Sequence, residues 1–213
     1  MSDSRSGIGK TLLFAAIVTL AVTLIRLYGE LNEWDPKYFS PQPGGGGAMV
    51  GIGWLMPIFG IVFGWKLARA GKGPANLGKA LLMPLAGAAF AAGVIFVTMK
   101  FWQPSFWPML IAVDGAGLLA GIIALTGWPR LGFVNLAYGL LARLPIVAIT
   151  YFAFEKGWKV HHVGLAPNAP TDLTLNEKLI ALCGAQLTIW IGATLVFGGL
   201  AGAIAAAIGG KRR

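Results

Sequence analysis

A bundle of six membrane-spanning α-helices is the fold class this sequence predicts, on three observations. Six apolar runs, at 11–28, 48–67, 80–99, 109–126, 133–154 and 179–208, fill most of the 213 residues. Each is long enough, at roughly 17 residues or more, to cross a hydrocarbon core as helix. The composition agrees: 56% of the residues are hydrophobic and 12% charged, and the mean hydropathy is +0.72, outside the range of water-soluble domains. The runs are also continuous, without the in-out alternation of barrel strands, which leaves helices to satisfy the backbone amides in lipid. The expectation is an all-α, polytopic integral membrane protein with one domain, 1–213.

The charge pattern orients the bundle. A net charge of +9 would suit nucleic acid only on a single soluble face, and here the basic residues lie between the apolar runs. With a cytoplasmic N-terminus, ten Lys and Arg fall on the inner side and five on the outer, which obeys the positive-inside rule. Six spans return the C-terminus to the cytoplasm, where Lys211, Arg212 and Arg213 meet anionic headgroups at about 1 kcal/mol per charge. This is the pattern of a bacterial inner-membrane protein. The first run is read as retained, because Arg26-Leu27-Tyr28 does not supply the small-x-small site of a cleaved leader.

In chain order, the first external loop, 29–47, carries Glu30, Glu33 and Asp35, then Pro36, Pro41 and Pro43, and ends in Gly44 to Gly47. That glycine run lacks the Lys-Ser/Thr of a phosphate loop and reads as a flexible lead into the second span. The second span has Pro57 near its middle and a Gly60-xxx-Gly64 pair; the third has Pro84. Phe101, Trp102, Phe106 and Trp107 follow as an interfacial aromatic belt. Gly117-xxx-Gly121 marks the fourth span and Pro145 the fifth. Pro57 and Pro145, each midway along the central span of a three-span half, faintly suggest an inverted repeat.

The second long external segment, 155–176, carries His161 and His162 and is expected along the membrane surface. Thr174-x-x-Glu177 has capping-box spacing and opens the sixth span. That span, about 45 Å long at 1.5 Å per residue, must tilt, kink or project. Gly198, Gly202, Ala206 and Gly210 line one of its faces, the small-xxx-small pattern of close helix contact. Cys183, the only cysteine, reads as a small apolar packer.

Polar residues at membrane depth are the functional signal. Arg143 sits about ten residues from each end of its span, where a charge costs about 2.5–3.5 kcal/mol, so a partner is expected. Asp114 on the fourth span is the predicted partner, as a buried ion pair. Gln186 and Arg26 share the same outer leaflet, with Glu30 four residues after Arg26. Two arginines against one buried carboxylate leave room for an anionic ligand. A metal reading of His161 and His162 with Glu30, Glu33 or Asp35 is disfavoured, because adjacent residues in an extended chain point apart.

No nucleophile-base pair, His-Glu pair at helical spacing, paired carboxylates or phosphate loop occurs, and no cofactor is expected. The leading expectation is therefore non-enzymatic: binding or transport of a small anionic solute in an outward-facing pocket built from Arg26, Asp114, Arg143 and Gln186, with Glu30, His161 and His162 as external polar contacts. The rival is an accessory subunit that docks a membrane partner, or a second copy, through its external loops and glycine-faced sixth helix. A lipid-modifying enzyme comes third.

Overall fold

Eight α-helices carry the chain in the computed structural model, which describes residues 3–43, 50–102 and 105–209, with side chains from residue 7. They are α1 (Asp3–Leu31), α2 (Pro36–Phe39), α3 (Leu55–Arg69), α4 (Leu77–Val97), α5 (Phe106–Leu125), α6 (Pro129–Glu155), α7 (Leu175–Leu187) and α8 (Ile189–Gly209). Among the described residues there is no strand. Five helical stretches are long and apolar enough to cross a membrane: Gly7–Leu31, Leu77–Trp102, Phe106–Leu125, Pro129–Glu155 and Leu175–Gly209. The chain is an all-helical membrane protein. The Gly44 to Gly47 run, Gly210 and the basic tail lie outside the described residues.

The second apolar run departs from expectation. It is helical only from Leu55, and α3 has 15 residues, about 22 Å at 1.5 Å each. Pro57 is the third residue of α3 rather than a kink at mid-span. Proline is tolerated there because a first-turn amide has no partner within the helix. Residues 50–54 before it are irregular.

The sixth run breaks, the kink its length called for. At Thr188 the backbone leaves ideal helix (φ −110°, ψ −75°), separating α7 from α8. The Thr188 amide and hydroxyl both donate to the Gly184 carbonyl, at 3.0 and 2.9 Å. The capping box forms at the other end of α7: the Thr174 hydroxyl accepts from the Glu177 amide, and Glu177 Oε2 accepts from the Thr174 amide at 2.8 Å.

Helix α8 is the hub, touching α3, α4, α5 and α6. Its glycines explain the arrangement. A Cβ on Gly60 or Gly64 of α3 would run into the backbone of Gly198 or Gly202 of α8, and one on Gly117 would meet the backbone of Ile189. In lipid there is little hydrophobic force between helices, so close backbone packing of this kind holds them together. The glycine face of α8 is thus occupied by α3 of the same chain. Beside it, Phe59, Phe63 and Tyr138 form an aromatic cluster with centroids 5.3–6.2 Å apart, and the Tyr138 hydroxyl pairs with Thr19 Oγ1 at 2.9 Å.

Residues 29–43, 50–54 and 155–174 gather at one end of the bundle, the loop end. The last of these segments packs on the bundle. It turns back over the helices through a 3₁₀ turn at His161–Val163, with Val160 and Leu173 buried and Gly164 pressed against Pro43. The aromatic belt divides in the same way. Phe101 and Trp102 are exposed, whereas Phe106 is buried among Leu173 and Ala181 with Trp107 packed against them.

Candidate functional site

The last turn of α1 begins the site. Arg26 and Glu30, four residues apart, face the same side, and Arg26 Nε donates to Glu30 Oε1 at 2.8 Å. Arg26 also donates to the Ser40 carbonyl at 3.3 Å. The fully buried Glu30 carboxylate then reaches across to the 3₁₀ turn. It accepts from the His161 backbone amide at 3.0 Å and lies 2.6 Å from His161 Nδ1. One carboxylate therefore clasps α1 to the second loop. Sequence spacing gave the Arg26–Glu30 half of this clasp; the His161 half joins residues 131 apart and has no local signature.

His162 does not point away from His161 as adjacent residues of an extended chain would, because both lie in the 3₁₀ turn and line the same cavity. Its ring is buried beneath that of His161, with centroids 3.8 Å apart, and its Nε2 has no hydrogen-bond partner. Burial, before any other cause, holds its pKa down to about 3; the charges of His161, Arg26 and Arg143 press the same way, and Glu30 opposes them. The ring is neutral at ordinary pH.

Arg143 projects from the middle of α6 and is 4% exposed. Its Nη1 donates to Gln186 Oε1 of α7 at 3.2 Å, and its guanidinium carbon lies 4.6 Å from the Trp190 ring centroid on α8, a cation-π contact. Its Nε has no partner. Among the described residues no carboxylate pairs with it.

The expected Asp114–Arg143 ion pair is not formed. Asp114 sits on α5 with its carboxyl beside Gly184 and Thr188 at the α7–α8 break, and its Oδ1 is unpartnered. Gly117 and Gly121 let α5 pack directly on α8, and α8 also packs on α6. The two helices that follow one another in sequence are thereby held apart by a third.

Arg26, Arg143, Gln186, His161 and His162 do come together around one cavity of about 440 Å³ at the loop end; Asp114 does not line it. The remaining wall is largely apolar and comes from Ile52, Trp54, Ile146, Leu182 and Trp190. Trp54 and Trp190 went unnoticed in the sequence, where they read as ordinary span residues. Residues 51–54 are the part of the second apolar run that lines this cavity. Their signal was Gly51-x-Gly53, two poor helix formers. Gly51 is also where Arg26 passes, its Nη1 being 3.2 Å from where a Cβ would stand.

In charge terms, Glu30 is already shared between Arg26 and His161, so Arg143 is the buried cation of the cavity without a carboxylate. Such a charge is costly to bury alone and attracts an anion. Among the described residues no group of three His, Cys, Asp or Glu side chains is placed to hold a metal ion. Compared with protein-family models, with curated proteins and with solved structures, the chain gives no match.

Proposed function

We propose that this chain is a six-span protein of the bacterial inner membrane, both termini cytoplasmic, that binds a small anionic solute in the loop-end cavity and passes it across the membrane. The observation that carries the reading is Arg143: a guanidinium 4% exposed, steadied by Gln186 and Trp190, with no carboxylate beside it and one donor unused, on the wall of a cavity of about 440 Å³. A purely architectural arginine would be expected to meet a carboxylate, and Asp114 faces elsewhere.

The crossing beyond the five long apolar stretches, second in chain order, is the irregular stretch 50–54 together with α3. Gly51 lies beside Arg26, and Lys66 donates to the Thr11 hydroxyl at 2.7 Å, so 51–66 runs antiparallel to 26–11 over the same depth of α1. A segment matching the depth of a span in this way supports a crossing. With six crossings the loop end faces outward, and the basic turns that include Arg69, Lys72, Lys79 and Arg130 face the cytoplasm.

The test is native mass spectrometry of the protein released from gentle detergent, beside a variant carrying Arg143→Met and Gln186→Leu. The expected result is an anionic small molecule bound to the parent and absent from the variant, with both proteins keeping the same melting profile. Equal retention by the two proteins would overturn the reading.

A further inference from the structure

The walls of the cavity say more about its guest than that it is negative. Arg143 Nε and His162 Nε2 are two unpartnered polar atoms on side chains 4% and 8% exposed, and both side chains line the same cavity. They come from different elements, the middle of α6 and the 3₁₀ turn of the second loop. Buried donors without partners are rare, and each asks for an acceptor. An arginine edge and an imidazole nitrogen on residues of one cavity wall suit a group with two acceptor oxygens.

Charge narrows the choice. Arg26 is taken by Glu30 and the Ser40 carbonyl, so Arg143 is the cation left for the guest. A dianion would bring a second negative charge into a mostly apolar enclosure with nothing to balance it. The apolar side of the cavity, made by Ile52, Trp54, Leu182 and Trp190, can cover a hydrocarbon or aromatic body.

We propose that the cavity takes an organic monocarboxylate with an apolar body, its two oxygens received by Arg143 Nε and by His162 Nε2–H. This rests on the anion-binding reading above and names the class of anion. The neutrality of His162 fits the role, since the ring then serves as a hydrogen-bond donor without adding a second charge. A carboxylate of this kind could come from a water-soluble acid or from a lipid-derived acyl chain, and the two are distinguished by the probes below.

The experiment titrates the full chain in lipid nanodiscs at pH 8, above the ordinary imidazole range, with benzoate, decanoate and phenyl phosphate, following heat of binding. Benzoate or decanoate should bind at least about tenfold more tightly than phenyl phosphate, a dianion at that pH. His162→Leu should weaken carboxylate binding about five- to tenfold, the worth of one buried hydrogen bond. His162→Gln, which returns an N–H donor to the same wall, should stay within about threefold of the parent and guards against misfolding of the leucine variant. Tighter binding of benzoate assigns the guest to soluble acids, and tighter binding of decanoate assigns it to acyl chains; either supports the class. Phenyl phosphate binding as tightly as the carboxylates, or a leucine variant that binds like the parent, overturns this inference while leaving an anion pocket standing. Binding of none of the three probes overturns the pocket reading as well.

Discussion

His162 shows how a single burial sets a chemical property. Its pKa is held down to about 3, against about 6.5 for a free imidazole, so between these values the undocked turn binds a proton that the docked turn does not. Stability of the docked state is therefore fully present above about pH 6.5 and falls as the pH drops toward 3, by up to a factor of ten per unit. Hydrogen exchange of residues 159–164, corrected for its intrinsic pH dependence, should accelerate on going from pH 7 to pH 5. His162→Gln should flatten that profile. At this scale the sequence was informative wherever partners are neighbours, as with Arg26 and Glu30 or Thr174 and Glu177. It could not supply Glu30 to His161, or Arg143 to Gln186 and Trp190, because those contacts depend on which helices the glycines bring together.

Among the elements, α3 and α8 make the closest pairing, and the reason is the absence of side chains. Gly60 and Gly64 lie against the backbone of Gly198 and Gly202, so Gly60→Val should force the helices apart and destabilise the protein by about 1–3 kcal/mol or more. Gly93→Ala on α4 and Gly115→Ala on α5 are matched controls, since a Cβ at either meets nothing within 4 Å. These should be neutral or slightly stabilising through helix propensity. Thermal unfolding in detergent, followed by circular dichroism, would separate the two classes. The glycine spacing was plain in the sequence and correctly read as a contact face; which helix filled it was not, because four other spans also carry small residues. The Asp114–Arg143 pairing failed for the same reason: adjacency in sequence was taken for adjacency in space, and α8 intervenes between α5 and α6.

For the whole molecule, the apolar runs were sufficient to predict a helical membrane protein, and Arg26, Arg143 and Gln186, grouped by the sequence reading, do line one cavity. What the sequence obscured was the shortened α3, since residues 50–54 are apolar enough to pass for helix while their glycines let them unwind. The proposed topology makes a direct prediction. In a Cys183→Ser background, cysteines placed at Lys37 or Lys159 should react with an impermeant maleimide added to intact cells. A cysteine at Lys72 should react only after the membrane is opened. Reaction of the cysteines at Lys37 and Lys72 from the same side, with the one at Lys159 on the other, would rule out α3 as a crossing.

The break at Thr188 gives α8 the character of a lever. Gln186 lies just before that joint and Trp190 just after it, and Arg143 touches both, so the guanidinium straddles the pivot. A guest that drew Gln186 off Arg143 would remove one of the struts bracing α7 against α8. Any resulting swing would be carried along the 21 residues of α8 to Gly209 at its far end, where Trp65 of α3 rests against it. Occupancy at one end of the bundle would then be felt mechanically at the other.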